Sequence, residues 1–294
     1  MKTVLTLCVL LLLTHGMASY ADTPYTFKFG FNNERPDEPD YMLDMYGGVI
    51  AYLDKKLAAQ GMHADLVITK NLEEMQQKVQ QGEINVVSES LFTSLKLVKS
   101  GNMQPLLLAW RKGIRAYQSL FVVRQDSPLK SLADLRGKAI LFESPRSTSA
   151  YAVPKAFLQQ QGLTVLPSTQ ADAPAEAIKY SFSGDEITQA YQVVLRRTEA
   201  AAFGTSDWEE TPEAVRAQLR ILERTPFVLR WLISTHPQMP AEFRTALQQA
   251  LLEMSSAAEA QALLKHSQLV RFETLSAADQ ESLEQTKALL AFIE

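Results

Sequence analysis

Three consecutive hydroxyl residues follow a predicted strand and a proline turn. Ser147, Thr148 and Ser149 stand where the next helix is predicted to begin. The N-terminus of a helix presents unpaired backbone N–H groups and the positive end of the helix dipole. Combined with three side-chain hydroxyls, these groups can hold a small oxyanion. Helix capping needs only one hydroxyl, so the run of three predicts an anion-binding site, with a simple cap as the alternative.

Polar residues also cluster at three other predicted strand-to-helix junctions. In open α/β sheets, ligands bind beyond the carboxyl ends of the strands, so residues at such junctions are expected to face a common cleft. Ordinary caps and N-terminal charges are the alternative explanation, most directly for Ser90, Asp185 and Asp207. The candidate binding residues at these junctions are Ser88, Glu89, Ser90, Asp185, Glu186 and Asp207.

Aromatic and cationic side chains can complete the walls of such a cleft. The candidate aromatic contacts are Tyr41, Tyr46, Trp110, Tyr117 and Trp208, although core packing is the simpler explanation for each of them. Arg111 and Lys112 lie just before a β-rich stretch that begins at Tyr117. These two cations face either an anion or solvent, and the sequence leaves both possibilities open.

Sequence motifs of enzymes are missing from the chain. It contains no G-x-S-x-G elbow, no phosphate-binding loop and no dinucleotide fingerprint. His63, His236 and His266 are too scattered to suggest a metal site or a proton shuttle. We therefore predict no catalytic residues, no metal and no other cofactor.

The composition is that of a globular protein. The chain is 46% hydrophobic and 21% charged, proportions that exclude intrinsic disorder. Its 294 residues correspond to about two domains. The net charge is −4, and basic residues form no block. Because nonspecific binding to nucleic acid requires clustered cations, we expect no nucleic-acid partner.

The N-terminal residues have the pattern of a secretory signal peptide. A positively charged start precedes an apolar run at 4–13, which is too short to span a bilayer as a helix. Ser19 and Ala21 are the small residues expected before a cleavage site. We assign 1–21 to the signal, with a buried N-terminal helix as the alternative. The only cysteine, Cys8, lies within it, so the exported protein is expected to be soluble and without disulfides.

Strand and helix patterns alternate along the rest of the chain, which predicts parallel α/β layers. The predicted strands are 26–31, 64–68, 84–87, 105–110, 138–142, 200–203 and 220–223. The predicted helices are 41–59, 72–81, 90–99, 132–136, 148–161, 185–195, 241–262 and 277–292.

Two extended runs, 117–124 and 227–234, bracket the second series of elements, and no flexible linker separates the two series. This arrangement predicts two lobes joined by two structured crossovers, with a cleft between them. The predicted boundaries place 22–115 and 228–294 in lobe 1 and 116–227 in lobe 2.

The predicted helix start at Ser147 carries a recognisable motif. Its residues are Pro145, Ser147, Thr148, Ser149 and Pro154, in the pattern P-x-S-T-S-G-x-x-x-P. The chain thereby resembles the substrate-binding proteins of phosphate/phosphite/phosphonate ABC transporters, over positions 26–265. A subgroup pattern, S-E-x-x-F, is found at 88–92. The resemblance implies the type II periplasmic binding-protein fold, an α/β fold whose two lobes are joined by two hinge crossovers.

The resemblance also implies roles for individual residues. The hydroxyls of Ser147, Thr148 and Ser149 match those that hold the phosphonyl oxygens in the family. Ala150 stands where the motif has glycine, a small change that still allows the backbone to approach a ligand closely.

Two acidic residues depart from the family pattern. Better-known phosphonate binders have an aromatic residue near position 89 and a histidine near position 186, where this chain has Glu89 and Glu186. Carboxylates repel a bare dianion, so our hypothesis is a zwitterionic ligand such as an aminoalkylphosphonate, whose amine meets Glu89, Asp185 or Asp207. A different anion is the alternative.

These observations predict a periplasmic solute-binding component of an ABC transporter. It would act as a monomer without a cofactor, capture a small phosphonate- or phosphate-like oxyanion, and present it to a permease in the inner membrane. One alternative is a ligand-sensing subunit for a membrane signalling protein, with the same cleft and a different partner. Another is a hydrolase or transferase on the same scaffold, since fold alone does not fix function.

Overall fold

The computed structural model describes residues 24–33, 38 and 40–293. The predicted signal peptide, 1–21, lies outside the described residues. The described helices include none that is long and apolar enough to cross a membrane.

The described part of the chain alternates strands and helices. In chain order the strands are β1 (Tyr25–Asn32), β2 (Met62–Thr69), β3 (Val86–Ser90), β4 (Gln104–Arg111), β5 (Ala116–Tyr117), β6 (Ser119–Arg124), β7 (Ala139–Phe142), β8 (Val165–Pro167), β9 (Ile178–Phe182), β10 (Ala200–Gly204), β11 (Leu219–Arg224), β12 (Val228–Leu229), β13 (Trp231–Thr235) and β14 (Leu269–Thr274). The α-helices are α1 (Tyr41–Leu57), α2 (Leu72–Gln80), α3 (Leu91–Lys99), α4 (Val153–Gln160), α5 (Glu186–Val194), α6 (Thr205–Glu210), α7 (Glu213–Arg216), α8 (Ala241–Met254), α9 (Gln261–Ser267) and α10 (Ala277–Leu290).

The strands form two six-stranded mixed sheets. The first has the order β14-β4-β13-β3-β1-β2, and the second has the order β11-β6-β10-β7-β9-β8. In the first sheet β1 is parallel to β2 and β3, whereas β13 runs antiparallel between β3 and β4. The second sheet uses only strands between positions 119 and 224. The predicted α/β class is confirmed, and the exact lobe boundaries stay a prediction.

A short two-stranded ribbon connects the two sheets. Strand β12 pairs antiparallel with β5, so that Val228 lies opposite Tyr117 and Leu229 opposite Ala116. Each predicted crossover is therefore broken into a ribbon strand and a sheet strand, because the chain must turn from the ribbon into the sheet at 118 and 230.

The core of the first sheet follows from the alternation of β1. Phe27, Phe29 and Phe31 are all buried because alternate side chains of a strand point to the same face. Phe31 continues this row onto Tyr46 of α1, with the two ring centroids 3.9 Å apart. Burial of each such aromatic side chain contributes about 1.5–3 kcal/mol, which fixes α1 against the sheet.

Several predicted elements need correction. The strand predicted at 84–87 lies at 86–90, so Ser88, Glu89 and Ser90 form the end of β3 and do not follow it. The helix predicted at 241–262 ends at Met254, because the chain turns through a 3₁₀ segment at Ala258–Ala260 before α9. Strands β8, β9 and β14 were not predicted.

Candidate ligand-binding site

A cavity of about 620 Å³ opens where the first sheet and the connecting ribbon meet the loops and helix starts that follow strands of the second sheet. Its size is within the range of small-molecule sites, roughly 300–1,000 Å³. The predicted site residues that line it are Glu89, Ser90, Ser147, Thr148, Ser149, Asp185, Glu186 and Asp207.

The hydroxyl run forms a single π-helical turn, Thr148–Ala152, directly before α4. The backbone N–H of Ala152 donates to the carbonyl of Ser147 at 3.0 Å, five residues back. Such π turns are rare and are frequent at functional sites. The helix predicted at 148–161 therefore begins with a widened turn, which presents successive hydroxyls to the cavity.

Ser147 caps this turn, since its Oγ accepts a hydrogen bond from the backbone N–H of Ala150 at 3.0 Å. Capping and exposure to the cavity therefore coexist in Ser147. The two explanations offered by the sequence for this residue are not exclusive, and Thr148 and Ser149 are the hydroxyls left to face other groups.

Thr148 joins the two sides of the cavity. It is buried, and its Oγ1 accepts a hydrogen bond from the backbone N–H of Phe92, in α3, at 3.2 Å. The phenol of Tyr117, from the ribbon, lies beside the hydroxyls of Thr148 and Ser149 at the cavity wall. Burial raises the pKa of Tyr117 to about 12, so this phenol keeps its proton at neutral pH.

Three carboxylates from the second lobe face the same cavity. Burial raises the pKa of Glu143, Glu186 and Asp207 above their ordinary values. For Glu186 the pKa rises to about 7, because burial is reinforced by the negative charges of Glu143 and Asp207. A cationic group among these side chains would offset both the cost of burying the charged carboxylates and the repulsion between them.

The carboxylates predicted beside them are engaged locally. Asp185 caps α5, where its oxygens accept hydrogen bonds from the backbone N–H and the hydroxyl of Thr188 at 2.7 and 2.6 Å. Glu89 accepts from the backbone N–H of Asn32 at 2.9 Å and from that of Ser90 at 3.4 Å. Both line the cavity, with part of their hydrogen-bonding capacity already used.

Ser88 and Tyr46 do not line the cavity; they lie behind residues that do. Ser88 is fully buried, and its Oγ accepts a hydrogen bond from the indole nitrogen of Trp231 at 2.8 Å. Tyr46 accepts a hydrogen bond from Arg111 through its phenol oxygen. These two predicted contacts thus hold Trp231 and Arg111 in the wall, and Tyr46 packs in the core as its alternative reading proposed.

The cavity also receives cations. Arg111, from β4, lies 4.4 Å above the ring of Trp231 and lines the wall together with Lys112. Arg230, between β12 and β13, donates to the hydroxyl of Ser206 at 3.2 Å. From the sequence, Arg111 could face either an anion or solvent, and Arg230 was not predicted to be a site residue. The available signal was a single charge inside the otherwise apolar run that begins with β12.

Two further contacts bridge the cavity walls. The guanidinium of Arg146 donates to the backbone carbonyl of Asn33 at 3.1 Å. The ammonium of Lys112 is 3.4 Å from the carboxylate of Glu210. With the Thr148–Phe92 hydrogen bond, these contacts connect loops and helices beside the first sheet to loops and helices beside the second, around the cavity.

The chemistry of these side chains favours ligand binding. Among the described residues, no group of three or more His, Cys, Asp or Glu side chains is arranged to hold a metal ion. The cavity instead combines neutral hydroxyl donors with cations and carboxylates, most of them partly or fully buried, which suits a small polar ligand that carries charges of both signs.

Replacing Glu186 with glutamine is expected to stabilise the ligand-free protein at pH 8 by roughly 1–2 kcal/mol, after allowance for partial exposure of the side chain. The folded-state pKa of about 7 exceeds the ordinary value of 4.5 for a glutamate side chain. The unfolded state therefore binds fewer protons between these values, and wild-type stability falls as pH rises through them.

Thermal unfolding at several pH values measures this effect. Wild type and the Glu186→Gln variant should coincide near pH 4 and diverge by pH 8, whereas Glu242→Gln, at an exposed position of α8, should follow wild type throughout. Equal melting temperatures for wild type and Glu186→Gln at pH 8 would contradict the pKa assigned to Glu186.

The two sheets, their two crossovers and the cavity between them define a class, the two-lobe periplasmic binding proteins. Within it, the chain belongs to the family described as "ABC transporter, phosphonate, periplasmic substrate-binding protein", whose model matches residues 36–280. This is a family of transport proteins and not a class of enzymes. Membership implies a periplasmic location, a small ligand and a permease as partner.

Solved structures agree with this fold. XAC2383 from Xanthomonas citri bound to chloride ion is 24% identical, with a TM-score of 0.82 over 90% of this chain and 97% of that chain. The same protein bound to ATP is 23% identical, with a TM-score of 0.81 over 90% and 97% of the two chains. PhnD1 from Prochlorococcus marinus in complex with methylphosphonate is 16% identical, with a TM-score of 0.63 over 92% and 99%. None of the curated proteins matches the sequence.

Proposed function

We propose that this protein captures a small phosphonate- or phosphate-like oxyanion in the periplasm and delivers it to the permease of an ABC transporter. The observation that carries the proposal is the meeting of Thr148, Ser149 and the Tyr117 phenol at the wall of the cavity. Charge-assisted hydrogen bonds contribute about 1.5–3 kcal/mol each. Three or four of them account for the roughly −8 kcal/mol of micromolar binding.

The ligand is further proposed to be a zwitterion, such as an aminoalkylphosphonate. Glu143 and Glu186 are partly buried carboxylates in the same cavity, and a ligand amine would pair with them. Of the partners predicted for the amine, Asp185 and Glu89 already accept backbone hydrogen bonds. We therefore place the amine beside Glu186. Asp207 is close enough to Glu186 for their charges to interact.

Isothermal titration calorimetry with a panel of phosphorus oxyanions tests the proposal. Aminoethylphosphonate should bind about tenfold more tightly than methylphosphonate, since a charged hydrogen bond is gained. The Glu186→Gln variant should lose this preference, while Glu242→Gln keeps it. If phosphite or phosphate binds as tightly as aminoethylphosphonate, the proposal of a zwitterionic ligand is overturned. If no compound of the panel binds, the proposal of oxyanion capture is overturned.

The partner is tested separately from the ligand. Purified protein loaded with the tightest-binding compound should form a complex with an ABC permease in membranes. A complex with the periplasmic domain of a signalling protein, and none with a permease, would favour the sensing alternative.

A further inference from the structure

Arg230 is the residue through which the ribbon, the first lobe and the second lobe meet. Its backbone N–H donates to the carbonyl of Arg115, in the opposite crossover, at 3.0 Å. Its own carbonyl accepts from the backbone N–H of Leu91, the first residue of α3, at 3.2 Å. Its guanidinium donates to Ser206, in α6 of the second lobe. The side chain is therefore held at a fixed place in the cavity wall.

The surroundings of this guanidinium are those of an anion site. It lies 5.5 Å from the centre of the Tyr117 ring, and Tyr117, Thr148 and Ser149 line the same cavity as Arg230. The positive charge and the hydroxyl donors thus border the same part of the cavity. Neutral donors alone favour any tetrahedral oxyanion, whereas an added cation favours the more highly charged one.

The charges around Arg230 are only partly balanced. Asp207 and Glu210 attract it, but the buried Arg111, which also lines the cavity, repels it. Burial lowers the pKa of Arg230, and the neighbouring guanidinium acts in the same direction. Arg230 and Arg111 both line this cavity, so an anionic ligand in it would be attracted by both guanidinium groups.

We propose that Arg230 determines the charge specificity of the site and selects a doubly charged oxyanion over a singly charged one of the same shape. The inference rests on the proposed capture of an oxyanion in this cavity. It adds a specificity residue that the hydroxyl run does not supply, because hydroxyls carry no net charge.

A simpler role must be separated from this one. Arg230 could serve only to neutralise Asp207, whose carboxylate it attracts. In that case, removal of both charges would restore the site. If Arg230 instead meets the ligand, removal of Asp207 alone strengthens the attraction for a dianion, and removal of both leaves it weak.

Methylphosphonate and methanesulfonate distinguish the two roles. At pH 8.5 they are similar tetrahedral anions, mainly doubly charged and singly charged respectively. Calorimetry gives the ratio of their affinities for wild type, Arg230→Gln, Asp207→Asn and the double variant. We expect the wild-type preference for methylphosphonate to fall about tenfold or more in Arg230→Gln and in the double variant, and to rise in Asp207→Asn.

Arg230→Lys keeps the charge but loses the planar fork of the guanidinium, so its preference should lie between wild type and Arg230→Gln. Circular dichroism and thermal unfolding establish that each variant is folded. If Arg230→Gln does not fold, Arg230→Lys and Asp207→Asn still measure the preference. If the preference for methylphosphonate over methanesulfonate does not rise in Asp207→Asn, the inference is then overturned.

The outcomes separate the two proposals. Wild-type protein that binds no phosphorus oxyanion overturns both the proposed function and the role of Arg230. If wild type binds and either Arg230→Gln or the double variant keeps the wild-type ratio of affinities for methylphosphonate and methanesulfonate, only the role of Arg230 is overturned.

Discussion

Replacing Thr148 with valine is expected to weaken oxyanion binding about a hundredfold. The change removes a hydroxyl donor from the cavity, and it also leaves the backbone N–H of Phe92 without its acceptor. Each loss costs about 1–3 kcal/mol. For ligand supplied at 100 times the wild-type Kd, ligand-induced stabilisation should fall from about 2.7 to about 0.4 kcal/mol.

A thermal-shift assay with aminoethylphosphonate measures this loss. Thr245→Val is the matched control, because Thr245 is exposed and its hydroxyl donates to the carbonyl of Ala241 within α8. The control should keep the full shift. The melting temperature of ligand-free Thr148→Val should fall by only a few degrees, at about 2–4 °C per kcal/mol. A full shift in this variant would mean that the oxyanion binds away from the hydroxyl run.

Replacing Gly204 with alanine should also weaken binding, by about tenfold to a hundredfold. A Cβ at this position would lie 2.5 Å from Oδ2 of Asp207 and 2.7 Å from Oγ of Ser149. The backbone of Gly204 has φ −73° and ψ 155°, which alanine adopts without strain. The effect is therefore steric, and it displaces two cavity side chains, one of which is a proposed oxyanion donor.

Calorimetry with methylphosphonate and with aminoethylphosphonate measures the effect of Gly204→Ala. Gly47→Ala is the control, since its Cβ would meet only the flexible, exposed side chain of Leu43 in α1. Unchanged affinity in Gly204→Ala would show that neither Ser149 nor Asp207 needs its present position to bind the ligand.

The sequence predicted those parts of the fold that depend on local pattern. Strand β1 was recognisable because Phe27, Phe29 and Phe31 alternate with other side chains. Helix α1 was predicted to end before Gly61, where the backbone has a φ of 71°, a conformation that glycine adopts without steric cost.

The strands that were missed lack that pattern or are short. Strand β14 contains a bulge between Leu269 and Arg271, which interrupts the alternation of buried and exposed residues. Strand β8 has only three residues. Strand β9 does alternate, from Ile178 to Phe182, and its pattern was available but is brief.

The candidate site divides in the same way. The run Ser147, Thr148 and Ser149 was recognisable because it is contiguous and stands at a helix start. Arg230 and Tyr117 reach it from crossovers about 80 and 30 residues away, and no local spacing encodes their approach. The π turn was also not predicted, because the sequence does not distinguish it from an ordinary first helical turn.

Strand β13 has a consequence for the order in which the protein assembles. It occupies the gap between β3 and β4, yet it follows every strand of the second sheet along the chain. All strands of that second sheet lie within 119–224, so it can be completed as soon as this stretch has emerged. The first sheet, whose other central strands come from the first half of the chain, cannot be completed until residues 231–235 pair with the edges of β3 and β4. The sheet that begins first along the chain is therefore expected to complete its folding last. Until then, the unpaired edges of β3 and β4 are sites where the chain can aggregate.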